Sequence, residues 1–254
     1  MKIPRKRIIT LAAALLFIFV LLPMGAETPV LMYHHVSETA AEQGLNVDPQ
    51  AFSRQMEFLK VHGYRVVPLG ELLNGIKAGK HFPARTVAIT FDDGNVDNFE
   101  NAFPILKKMN FPAAIFMITD DIGKSGRLSE EDLKILDSSG IEIGSHTAHH
   151  AFLPNCGLEE ARAELRDSKS RLETLLGHPV TLFSYPAGGV TQSVRGLVEQ
   201  EGYAGAVTTN YGRKRRDPYA LHRIKITASD ANLFRFWAKT SGFYLWGKRR
   251  VEIV

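Results

Sequence analysis

Short apolar runs rich in strand formers alternate along this chain with segments of helical period, and that alternation constrains the fold more than any other feature. The runs are Pro29–Val36, Tyr64–Leu69, Thr86–Phe91, Pro112–Ile118, Ile141–Gly144, Val180–Tyr185, Ala204–Thr208 and Leu221–Ile226. Between them lie helix signals. Asp48 caps a segment with Pro49 in its first turn and Phe52, Met56 and Leu59 on one face, and Gly63 ends it. Glu71–Ala78 and Asn95–Met109 follow, the latter with Pro104 as a kink; Ser129 and Asp132 form a capping box that opens a helix to Ser139. Leu158–Leu176 is the longest amphipathic stretch, and Gln192–Glu201 and Ala231–Lys239 complete the series. A strand, a helix and a second strand in succession make a parallel unit. The expected fold is α/β, a distorted (β/α) barrel of about seven parallel strands. No glycine fingerprint for a dinucleotide follows any run, which disfavours an open cofactor-binding sheet.

The chain has 254 residues, 44% hydrophobic and 23% charged, which suits a globular body and excludes collagen-like or wholly disordered classes. Its net charge of +4 is unevenly placed. Lys2, Arg5, Lys6 and Arg7 stand in residues 1–26 without an acid, and removing them leaves 27 basic against 27 acidic residues. A nucleic-acid partner therefore loses its electrostatic basis. The basic start precedes an uncharged run of 15 residues, Ile8–Leu22, then Pro23-Met24-Gly25-Ala26. This pattern makes residues 1–26 a signal peptide or N-terminal anchor, too short in its apolar part for the ~20 residues of a comfortable membrane span. Residues 27–254 are then an exported domain, periplasmic, cell-envelope or secreted. Membrane attachment could come through the apolar segment, and no obligate protein partner is evident. Cys156 has no second cysteine to pair with. Arg213–Arg216 and Lys248–Arg250 read as solvated basic clusters, and the aromatic stretch from Phe234 to Trp246 as packing of the last helix.

Chemistry in parallel barrels gathers at the C-terminal ends of strands. There the sequence places Asp92-Asp93-Gly94, Ser145-His146-Thr147-Ala148-His149-His150, Ser184-Tyr185-Pro186-Ala187-Gly188 and Tyr33-His34-His35. Five of nine histidines and both paired aspartates thus collect on one face. A carboxylate with two imidazoles suits zinc or a similar divalent ion with positions left open. His146 and His150 can point the same way at i, i+4, while His149 competes at i+3.

Thr90-Phe91-Asp92-Asp93-Gly94 followed by His146-Thr147-Ala148-His149-His150 resembles the first two motifs of the polysaccharide deacetylases, carbohydrate esterase family 4, the NodB homology domain. The resemblance spans residues 30–226. It implies removal of acetyl groups from N-acetylated sugar polymers with one divalent metal ion, zinc first, cobalt or nickel otherwise. By position Asp93, His146 and His150 become the metal ligands, Asp92 the catalytic base, and His149 a non-ligand. In the third motif Pro186 and Gly188 match, and the N–H of Ala187 would face the oxyanion, with Tyr185 and Pro186 beside the substrate.

Two departures matter. Ser184 stands where the family carries an arginine that holds the catalytic Asp, so another cation is needed; Arg223, on the following strand, is the candidate. The family's late leucine-histidine motif has no counterpart, and His222 reads as structural. Leu31-Met32-Tyr33-His34 instead resembles the circularly permuted branch, which includes exported poly-β-1,6-N-acetylglucosamine deacetylases, and makes His34 the general acid with His35 on the opposite strand face. The other readings are an O-acetyl sugar esterase, a peptidoglycan or chitin-type deacetylase, and a degenerate carbohydrate-binding barrel without turnover.

Overall fold

In the computed structural model, residues 27–38, 44–209, 216–242 and 244 are described. The N-terminal basic and apolar segment, Arg213–Arg215, Phe243, Trp246 and Lys248–Arg250 lie outside them. Among the described residues no helix is long and apolar enough to cross a membrane.

The chain opens with β1 (Val30–Tyr33), β2 (His35–Val36) and β3 (Asn46–Val47). Helix α1 (Pro49–Val61) begins where the Asp48 carboxylate accepts the N–H groups of Gln50 and Ala51, and it buries Phe52, Met56 and Leu59. Strand β4 (Arg65–Val66) is two residues long because helix α2 (Leu69–Lys77) starts earlier than its sequence suggests. The cause is tertiary: the Glu142 carboxylate accepts the N–H groups of Leu69 and Gly70 at 2.7 and 3.0 Å. Strand β5 (Thr86–Phe91) is buried throughout. The segment expected as one helix kinked at Pro104 is instead a π-helical turn, Asn98–Ala102, running into α3 (Phe103–Met109). Then come β6 (Ala114–Met117), α4 (Glu130–Ser138) behind the Ser129–Asp132 capping box, and β7 (Glu142–Ser145). Helix α5 (Leu158–Leu176), β8 (Leu182–Ser184), α6 (Gln192–Gln200) and β9 (Gly205–Thr208) follow. The expected strand over Leu221–Ile226 is broken at Arg223 into β10 (Leu221–His222) and β11 (Ile224–Lys225), before α7 (Leu233–Thr240).

That break closes the barrel. The parallel strands run β10-β9-β8-β7-β6-β5-β1-β11, with β4 also on β5. β10 pairs with β9 and β11 with β1, so one five-residue segment joins the two edges and Arg223 occupies the seam. The result is a nearly closed α/β barrel. β1, β5, β6, β8 and β9 are buried on both faces, as covered parallel sheets require, while β4 and β11 at the margins each expose a residue. The last helix departs from expectation: Phe236 is buried, but Phe234 and Trp237 are 72% and 46% exposed and pack on each other.

Candidate active site

A cleft of about 730 Å³ opens over the C-terminal strand ends. Its wall begins where β5 stops. Asp92 still donates its N–H to the Tyr33 carbonyl, and the chain then turns through Asp93 and Gly94, both left-handed at φ 72° and 69°. Gly94 is required there, since a Cβ would strike the Met117 sulfur. The turn sends the adjacent carboxylates to different partners.

Asp93 meets two imidazoles. Its Oδ1 lies 3.4 Å from Nε2 of His146 and 3.6 Å from Nε2 of His150. The three donor atoms lie within 4.8 Å of one another. These gaps are longer than the ~2.7–2.9 Å of a charge-assisted hydrogen bond. They approach the roughly 3.3 Å between neighbouring ligands on a tetrahedral zinc ion with ~2.0–2.1 Å bonds. The Nδ1–H of buried His146 donates to the Ser184 carbonyl at 2.8 Å, which leaves Nε2 as the lone-pair nitrogen facing the cleft. The donor set therefore fits a divalent ion of zinc type. Burial opposes charge on His146, but Asp92 and Asp93 outweigh it and raise its pKa. Burial pushes the Asp93 carboxyl up, and the imidazoles bring it well below its ordinary range. His149 turns away, with Nδ1 on Glu164 and Nε2 on Asp120, so the spacing ambiguity is resolved toward His150.

Asp92 faces the seam. Arg223, 1% exposed, forks its carboxylate with two bonds of 2.6 Å. The same guanidinium donates to Ser184 Oγ at 2.8 Å and Thr90 Oγ1 at 3.2 Å. Burial raises the Asp92 pKa, and Arg223 with His146 and His34 overcomes it, so the net shift is downward. Ser184 thus occupies the motif position as an acceptor for an arginine supplied from elsewhere in the chain. Nothing in the local sequence marks Thr90 and Ser184 for this part.

His34 lines the same cleft. Its Nδ1 is buried and has no hydrogen-bond partner among the described residues. Burial lowers its pKa, against the pull of Asp92 and Asp93. The backbone around it is held by the π-helical turn: Asn98 Nδ2 donates to the His34 carbonyl at 2.8 Å and Asn101 Nδ2 to the Val36 carbonyl at 2.8 Å. His35 points to the other side, with Nδ1 2.7 Å from Asp97.

The third motif forms a short turn in which Ala187 is left-handed at φ 50° and lines the cleft with Gly188. Tyr185 also borders the cleft, but its hydroxyl is engaged by the Tyr219 carbonyl at 2.8 Å and its ring packs edge-on against Phe183. Pro186, the first residue of that turn, is buried and is not among the described residues that line the cleft. Sequence reading missed Arg127, which lines the cleft and donates to the Asp93 carbonyl at 3.2 Å and to Asn95 at 2.6 Å.

Comparison with known proteins gives the family and the fold of the chain. The family model described as polysaccharide deacetylase matches residues 79–206, a span that contains Asp92, Asp93, His146, His150 and Ala187 but neither His34 nor Arg223. YxkH of Bacillus subtilis, a protein named for the same family, is 35% identical over 204 residues, covering 80% of this chain and 72% of that one. The poly-β-1,6-N-acetyl-D-glucosamine N-deacetylase of Staphylococcus epidermidis is 37% identical over 108 residues, 40% of this chain and 37% of the relative's length. Among solved structures, the Streptococcus pyogenes deacetylase PplD in complex with acetate superposes with TM-score 0.75 at 27% identity, covering 82% of this chain and 97% of that one. IcaB from Ammonifex degensii superposes with TM-score 0.75 at 25% identity, over 85% and 98% of the two chains. On this footing of sequence, fold and strand-end geometry, the chain belongs to the polysaccharide deacetylase family.

Proposed function

We propose that the cleft hydrolyses the N-acetyl groups of an N-acetylglucosamine polysaccharide, with Asp93, His146 and His150 holding a divalent ion, zinc first. The observation that carries this reading is the Arg223 fork on Asp92 beside that donor set: one carboxylate is kept ionised without being drawn into the other's coordination. A binding barrel has no need of such a charged, buried base. When bound, the ion would polarise the acetyl carbonyl and acidify the attacking water. Asp92 accepts the water proton; a carboxylate with a lowered pKa is a weak base, so it suits a water that is already acidified. His34, in its protonated form, gives a proton to the departing amine. The Ala187 N–H serves the developing oxyanion.

β1 sits between β5 and β11, which places His34 beside the Asp92 turn and supports the circularly permuted reading. The similarity to poly-β-1,6-N-acetyl-D-glucosamine deacetylases supports that linkage as the first substrate to test, although it covers a limited stretch of them. Residues 1–26 serve as an export signal or anchor, and residues 27–254 as the catalytic domain at the cell envelope or outside it.

Amine and acetate release from β-1,6-linked N-acetylglucosamine oligomers is the deciding measurement, run with and without chelator and with Asp92→Asn. The expected outcome is equimolar amine and acetate, abolished by chelator and cut about 10²–10⁴-fold by the substitution. Acetate without amine from O-acetylated sugars would replace this reading by an esterase. Release from chitin or peptidoglycan oligomers alone would move the linkage. No product from any acetylated glycan would leave a binding barrel.

A further inference from the structure

The buried stripe of α5 consists of Ala161, Glu164, Leu165, Ser168 and Leu172. A glutamate and a serine one turn apart break an otherwise apolar stripe, and acids are almost never fully buried without partners. Glu164 is 8% exposed, and the hydrogen-bond partners of its carboxylate among the described residues lie in the loop between the two imidazoles of the site. Oε2 accepts the N–H groups of Ala148 at 2.9 Å and His149 at 3.0 Å, and Oε1 takes Nδ1 of His149 at 2.6 Å. One turn along, Ser168 Oγ bonds Ser145 Oγ at 2.7 Å, and Ser145 Oγ in turn accepts the Thr147 N–H at 3.2 Å.

This bracing has something to hold. Thr147 and His150 are both left-handed, at φ 65° and 59°, and a β-branched residue rarely adopts that region. Each such residue costs on its own and persists only where the surroundings over-determine it. Two successive N–H groups converging on one carboxylate oxygen supply that constraint. The opposite side of the loop is tied by the Thr119 and Asp120 N–H groups to the Thr147 and Ala148 carbonyls.

We infer that Glu164 is a positioning residue that fixes the separation of His146 and His150, and so sets divalent-ion affinity rather than the chemical step. The inference rests on the metal reading of the preceding section. It is tested on the full chain by zinc titration against a chromophoric chelator, with unfolding of the zinc-free protein followed in parallel. Glu164→Ala is expected to weaken zinc by about 10–100-fold, the usual cost of removing an outer-shell partner, while kcat at saturating zinc stays within about threefold. Glu164→Gln should recover most of the affinity, since its amide oxygen still accepts both N–H groups and its NH₂ can donate to Nδ1 of His149. Leu165→Ala, on the same buried stripe, should lower the melting temperature and leave zinc affinity unchanged. If Glu164→Ala does not fold, Glu164→Gln and Glu164→Asp carry the test, the shorter acid binding zinc more weakly than the amide. Zinc affinity within twofold of wild type in Glu164→Ala, or an equal loss in Leu165→Ala, overturns the inference while the metal reading stands. A wild-type chain that binds no divalent ion overturns both.

Discussion

The two sides of the cleft are built on different principles. On one side, Asp93, His146 and His150 come from two short turns, and their geometry depends on left-handed non-glycine residues held by neighbouring backbone and by α5. On the other, Asp92 is fixed by Arg223, a residue 131 positions away that reaches it through the seam between β10 and β11. The first side joins two turns that follow β5 and β7, brought together by the strands of one continuous stretch of sheet. The second exists only when the barrel closes, because a break in the last strand aims the guanidinium inward. Ion binding and base chemistry should therefore be separable by mutation.

Arg223→Gln should break the second side most. It leaves Asp92 buried without its fork, and losing one partner of a buried pair costs about 3–5 kcal/mol of stability. In wild type the depressed Asp92 pKa contributes stability that is present above the unfolded carboxylate value and lost as pH falls through the folded one. In the variant burial acts with less opposition, so the Asp92 pKa rises and the acid limb of kcat/KM moves to higher pH. A pH–rate profile with zinc saturating should show the loss shrinking as pH increases, with zinc affinity unchanged. A uniform loss at all pH values, or a matching loss of zinc, would erase the distinction between the two sides.

His34→Gln comes next, with kcat reduced by about 10²-fold, within the range for a general acid, and zinc affinity retained. Substrates with a leaving group that needs no proton should regain most of the rate; equal loss on both would reduce His34 to a lining residue. Ser184→Ala should have the smallest effect. Arg223 keeps both bonds to Asp92 and loses one acceptor, so a cost of about 1 kcal/mol in stability and a few-fold change in kcat are expected, read by thermal melts and initial rates.

How far these features are legible in the sequence follows the same division. The strand–helix alternation, the Asp48 cap, the Ser129–Asp132 capping box and the helix Leu158–Leu176 are local signals, and the fold carries each of them. The donor set was legible as a spacing, but His149 and His150 competed until the Glu164 and Asp120 carboxylates drew His149 aside. Glu164 itself left a trace, an acid in the buried stripe of an amphipathic helix. Arg127 left none, because its partners are set by how the turn after β5 meets the loop before α4. The early start of α2 was hidden for a similar reason: its cap is a side chain from β7.

By itself, then, the sequence determined the parallel α/β class, the order of the elements and the residue types gathered at the strand ends, since periodicity and short-range spacing are properties of neighbouring residues. Only the tertiary structure decided which imidazole turns into the cleft, which cation secures Asp92 and where the last strand divides. Those outcomes rest on hydrogen bonds and ion pairs between positions 15 to 131 residues apart: His149 meets Glu164 once α5 packs back on β7, and Asp92 meets Arg223 only once the barrel has closed.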